Sequence, residues 1–154
     1  MLAADKHAAI LNDLIRINND RIAGYDTALS KLPASETVVR QLFESLREES
    51  QRFRAALINR VAILGAEVAA DSTFSGKLFR TWMDIKAGWA GVDMGALVES
   101  CALGEDAWQK AYETVLTPGS GLPAESLELI KVQYNAGRQS SRLLKECERV
   151  LSMS

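Results

Sequence analysis

Histidine is almost missing from this chain of 154 residues: His7 stands alone, close to the N-terminus. A catalytic Ser-His-Asp set would have to be built on that one imidazole, and no Gly-rich phosphate loop is present, so hydrolase and nucleotide-binding readings are set aside. Cysteine is nearly as scarce. Cys101 and Cys147 are too few for a disulfide framework and lack CxxC spacing, so buried free thiols are expected. Three prolines leave long runs free to be helical. No surplus of positive charge exists either: the net charge is -2 and the isoelectric point near 5.5, which gives no global attraction to nucleic acid or to an anionic membrane. Long apolar runs are also missing, and Asp5, Lys6 and His7 fall where the apolar core of a signal peptide would need to be. A cytoplasmic protein of one domain, 1–154, with neither nucleic-acid nor membrane partner, is expected.

What the chain has instead is helical periodicity. Leu11, Leu14, Ile15, Asn18, Ile22, Tyr25 and Leu29 recur in steps of three and four, one stripe of a helix that runs from about residue 3 to Leu32 and stops before Pro33. Asp13, Arg16, Asn19 and Asp20 lie off the centre of that stripe. A second stripe, through Val39, Phe43, Leu46, Ser50, Phe53, Leu57 and Val61, gives a helix that Gly65 ends. The short turn between them predicts an antiparallel hairpin.

A polar link from Ala66 leads to a shorter helix, from Ser75 to Trp89, with Phe79, Trp82 and Trp89 on one side. Its stripe is of the kind that seals a crossover onto a bundle. Helix 3 is predicted from Asp93 to Leu116, with Cys101, Glu105, Trp108 and Tyr112 inward. Residues 117–121, TPGSG, form the clearest loop, and helix 4 follows through Leu127, Ile130, Tyr134, Gly137, Ser141 and Leu144. Leu-Pro-Ala introduces both helix 2 and helix 4. Two hairpins joined by a helical crossover predict an all-α, ferritin-like four-helix bundle.

Asn18 is the exception on its stripe, because a buried amide without partners costs roughly 1 to 3 kcal/mol. In an antiparallel hairpin, residues at one height have a constant sum of positions. A turn at Pro33 puts Asn18 level with about Glu49, and a turn at Ser120 puts Glu105 level with about Asn135. With Ser50, Arg52, Tyr134 and Arg138 beside them, these residues are expected to form one polar layer. Carboxylate-bridged metal proteins of this topology hold their metals at that height, using Glu-x-x-His on two helices. Here Glu49 is followed by Arg52, helix 4 has no such motif, and His7 is about 16 Å along the helix from Asn18. A standard di-iron site cannot be built from this chain alone. The preferred expectation is that Arg52 or Arg138 pairs with Glu49 and Glu105; the alternative is a cation site on Glu49, Glu105 and Asp106.

The stretches LNDLIRINNDRIAGYDTA, SGKLFRTWMDIKA and GEDAWQKAYE resemble a family of small, mostly proteobacterial ferritin-like proteins catalogued as a domain of unknown function. The resemblance runs nearly the length of the chain. It implies a ferritin-like four-helix fold without an assigned activity, and it marks Asn18, Asp20, Gly24, Tyr25, Gly76, Arg80, Trp82, Asp84, Lys86, Gly104, Glu105, Asp106 and Tyr112 as characteristic positions. Relatives often carry a histidine late in helix 4, where this chain reads Ser140 and Ser141.

The expected function is that of a non-enzymatic structural or interaction bundle of the bacterial cytoplasm, without cofactor. The alternative is a metal-binding protein or oxidoreductase using iron, manganese or zinc on the central carboxylates. Bundles of this kind commonly assemble, so a homodimer or another protein partner is expected, although nothing in the sequence marks the surface it would use. The basic series Lys131, Arg138, Arg142, Lys145 and Arg149 reads as a solvated face of helix 4.

Overall fold

A computed structural model describes residues 4–71 and 94–153. Four helices occur among them: α1, Ala4–Lys31; α2, Thr37–Ile63; α3, Met94–Val115; and α4, Ala124–Ser152. The predicted boundaries hold to within about one residue at most ends. The expected crossover helix, Ser75 to Trp89, lies outside the described residues, as do Gly76, Arg80, Trp82, Asp84 and Lys86.

α1 and α3 bury the stripe their period predicts, and α2 and α4 bury most of theirs, with Phe53, Leu127 and Tyr134 only half-buried. Leu11, Leu14, Ile15 and Tyr25 of α1 meet Phe43, Leu46, Leu57 and Val61 of α2, Val98, Cys101, Trp108 and Tyr112 of α3, and Ile130 and Leu144 of α4 in one core. α1 packs on α2 and α3, and α4 packs on α3 and α2, so α1 and α4 are diagonal, as are α2 and α3. Asn18 of α1 reaches Tyr112 late in α3, while Arg21 reaches Glu105 earlier in α3, so α1 and α3 are antiparallel. α2 and α3 therefore run parallel. The end of α2 and the start of α3 lie at opposite ends of the bundle.

Turn chemistry explains the ends. Gly65, at φ +74°, closes α2 with Ala66 N–H donating to the Val61 carbonyl and Gly65 N–H to that of Ala62, the paired bonds of a Schellman cap. The two Leu-Pro-Ala tripeptides are not equivalent. Pro33 opens a turn in which Glu36 N–H bonds the Pro33 carbonyl before α2 starts at Thr37, whereas Pro123 is itself the cap residue of α4.

Beyond Gly65 the polar link lies on the outer face of α1. Asn12 donates to the Glu67 carbonyl and accepts from Ala69 N–H, both at 2.8 Å, while Asn19 donates to the Asp71 carbonyl at 2.8 Å. Arg16 pairs with Asp71 at 2.9 Å. Residues that merely looked off-stripe thus hold the departing chain. No helix among the described residues is long and apolar enough to cross a membrane.

Candidate functional site: a buried arginine between two carboxylates

The polar layer exists, and the cation at its centre is Arg21. Its side chain is fully buried, and its Nε and Nη2 donate to the two oxygens of Glu105, each at 2.8 Å. Nη1 donates to Ser50 Oγ at 3.0 Å. Nη2 also lies 3.0 Å from Glu49 Oε1, an ion-pair contact without hydrogen-bond alignment. The guanidinium sits 4.8 Å from the centre of the Trp108 ring, which adds a cation–π contact in a dry setting. Burial works against the charge of Arg21, but Glu105 outweighs it and holds the guanidinium firmly protonated.

Glu105 is saturated. Besides the two arginine bonds it accepts from Tyr25 Oη at 2.9 Å and Ser141 Oγ at 2.7 Å, so each oxygen takes two donors. A carboxylate has about four such positions. Burial, with Glu105 next, raises the Tyr25 hydroxyl and the neighbouring Cys101 thiol well above their ordinary ranges, which keeps both neutral. Ser140 Oγ donates to Glu49 Oε2 at 2.6 Å.

Asn18 is answered from all sides. Its oxygen accepts from Ser50 Oγ at 2.8 Å and Trp108 Nε1 at 3.2 Å; its nitrogen donates to the Leu14 carbonyl and to Tyr112 Oη, both at 2.8 Å. Tyr112 passes the chain on to Gln133 Oε1 at 2.7 Å, and Gln133 Nε2 donates to the Phe53 carbonyl at 3.1 Å. All four helices are thus tied at one height. The indole of Trp108 reaches that height only because α4 carries Gly137 opposite it, where a Cβ would fall 2.1 Å from Cη2.

The sequence placed Asn18, Glu49, Ser50 and Glu105 in this layer, and the structure brings these four together. It does not bring in the others. Arg52, Asn135 and Arg138 are exposed, and Asp106 is an exposed partner of Lys145. Tyr134 is half-buried, donating to Glu113 at 2.6 Å with Arg138 over its ring. Arg52 and Arg138 are therefore not the cation of the layer. The error on α4 has a definite source: pairs across α3 and α4 are centred near Pro123, not Ser120, because α4 begins beyond the level at which α3 ends. Ser140 and Ser141 consequently stand where Asn135 was expected. Arg21 carried a legible signal, since it falls three residues after Asn18 and four before Tyr25 on the same stripe.

Among the described residues no group of three or more His, Cys, Asp and Glu side chains converges in a way that could hold a metal ion. Glu105 has no acceptor position left, Asp106 points elsewhere, and a cation between Glu49 and Glu105 would first have to displace Arg21. His7, far from the layer, is buried with its Nε2 at 2.7 Å from Ser126 Oγ. Burial, and then the charge of Arg60, lowers its pKa.

Fold and site together define an antiparallel-hairpin four-helix protein with an internal arginine–carboxylate network. The chain belongs to the family described as Domain of unknown function (DUF2383), whose model matches residues 6–118. Comparison with curated proteins gives no match. Of the positions marked by the sequence resemblance, Asn18, Asp20, Gly24, Tyr25, Gly104, Glu105 and Tyr112 are all buried, and Asp106 is not.

Proposed function

We propose that the protein is a non-enzymatic structural or interaction bundle of ferritin-like type, in which an arginine takes the central place that metal-holding bundles of this topology give to a cation. The observation that carries this reading is the bidentate contact of Arg21 with Glu105 and its second contact with Glu49. A guanidinium is permanently charged and fits a carboxylate with two parallel bonds, so it neutralises charge and fixes helix register at once. Ser140 and Ser141 support the same reading. Their hydroxyls bond the two carboxylates, so protein donors rather than a metal ion occupy the acceptor positions there.

The competing reading is a metal-binding protein using Glu49, Glu105 and Asp106, and thermal unfolding separates the two. Protein purified without chelator is melted alone and with iron(II), manganese(II) or zinc(II) in excess, beside Glu105→Ala. The expected result is no metal-dependent rise in the Tm of the parent and a lower Tm for the variant under every condition. A tightly bound ion would stabilise the fold by mass action, by about 2.7 kcal/mol at a hundredfold excess over Kd. A rise of several degrees that disappears in Glu105→Ala would overturn the structural reading.

A further inference from the structure

α2 and α4 jointly form a long face on which large apolar side chains stand exposed. Val38 and Ile63 at the two ends of α2, and Val132 and Leu143 on α4, are exposed by 56% to 76%. The cross-helix contacts Phe53 to Gln133, Glu49 to Ser140 and Arg60 to Glu125 set the heights: the two helices are antiparallel, and Glu49 and Ser140 mark the midpoint. At 3.6 residues per turn, Val132, Gln139 and Leu143 project along the outward normal of this face, as does Arg52 from α2, while Gln41, Glu48 and Asn59 project from the edge of α2 remote from α4.

We propose that this face binds a second copy of the same chain, in a two-fold dimer whose axis lies across the helices at the height of Glu49 and Ser140. The argument is self-complementarity. Turning the face about an axis at residue 50 of α2 places Arg52 opposite Glu48 of the other copy, and Gln41 opposite Asn59. The same operation brings Val38 onto Ile63. On α4 the axis falls between Arg138 and Gln139. Leu143 then seats between Val132 and Ala136. One axis serves both helices, because residue 50 and residues 138–139 are level in the bundle. Each favourable pair is made twice, as an isologous interface requires.

The area is sufficient. Two helices of 27 and 29 residues are about 40 Å long, and side by side at about 8–10 Å spacing they present a face of about 800 Å² per copy. That is the usual size of a specific interface. The exposed Leu103 belongs to α3, outside this face, and serves as a control.

The test is the mass of the full chain in solution by sedimentation equilibrium, beside surface variants. The parent is expected at twice its 16.9 kDa. Leu143→Glu weakens association about a hundredfold, the scale of a central interface residue, while helical content is unchanged. Arg52→Glu weakens it as well, and Arg52→Glu combined with Glu48→Arg restores it, a rescue that mere misfolding would not give. Gln139→Cys, next to the axis, forms a covalent dimer on mild oxidation. A monomeric parent at 100 μM (on the scale of weak association) would overturn the proposal. So would a dimer broken by Leu103→Glu and indifferent to Leu143→Glu, or an Arg52→Glu defect that the reversed pair fails to rescue.

Discussion

Arg21 is the most consequential side chain in the bundle, because removing it leaves two buried carboxylates facing each other without a counter-charge. Arg21→Met is expected to cost about 3–5 kcal/mol of unfolding free energy, measured in urea. Adding Glu105→Gln should recover a large part of that loss, since the amide oxygen accepts from one of the Tyr25 and Ser141 hydroxyls and the amide nitrogen donates to the oxygen of the other, without burying a charge. A double variant no more stable than the single one would mean that the guanidinium stabilises the core chiefly through its contact with Trp108. At Gly137 the effect is steric. Gly137→Ala drives a methyl into a rigid indole and is expected to cost about 1–3 kcal/mol, with Trp108→Phe relieving part of it in a double-mutant cycle. Independent, additive losses would show that the close approach of α4 to Trp108 is not what fixes their spacing.

The junction of helix ends near His7 is where the fold is sensitive to pH. Burial and Arg60 hold the folded pKa of His7 below its ordinary 6.5, so between 6.5 and that lowered value the unfolded chain carries a proton that the folded protein does not. Stability is therefore full above pH 6.5 and falls as the pH drops through this window. His7→Gln, which can still meet Ser126, is expected to flatten the dependence of urea midpoint on pH between about 7 and 5.5. An unchanged slope would place the titrating group elsewhere. Helices were readable in the sequence because each buried stripe keeps a period of 3.6; Asn18, Ser50 and Glu105 were readable because they interrupt such stripes. Arg21 was not recognised because Ile22 beside it is also buried and supplies the apolar step the period asks for. Gln133 and Ser126 escaped for a similar reason: the buried face of α4 runs through them, while the apolar Leu127 and Tyr134 next to them drew the reading one residue round the helix. Heights failed between α3 and α4 because α4 begins beyond the level at which α3 ends, an offset that the midpoint of the loop Thr117–Pro123 does not reveal.

The two hairpins bring unequal charge to the layer they share. The first contains Arg21 together with Glu49, Ser50 and Asn18, so its polar groups answer one another and its formal charge there is zero. The second contains Glu105, whose partner within its own hairpin is Ser141; the other three bonds come from α1. A C-terminal hairpin by itself would leave three of the four acceptor positions of Glu105 to water, and docking the N-terminal hairpin replaces that water with Arg21 and Tyr25. The seam between the halves is thus matched by charge: the negative side chain that one half leaves open is the one the other half is built to receive.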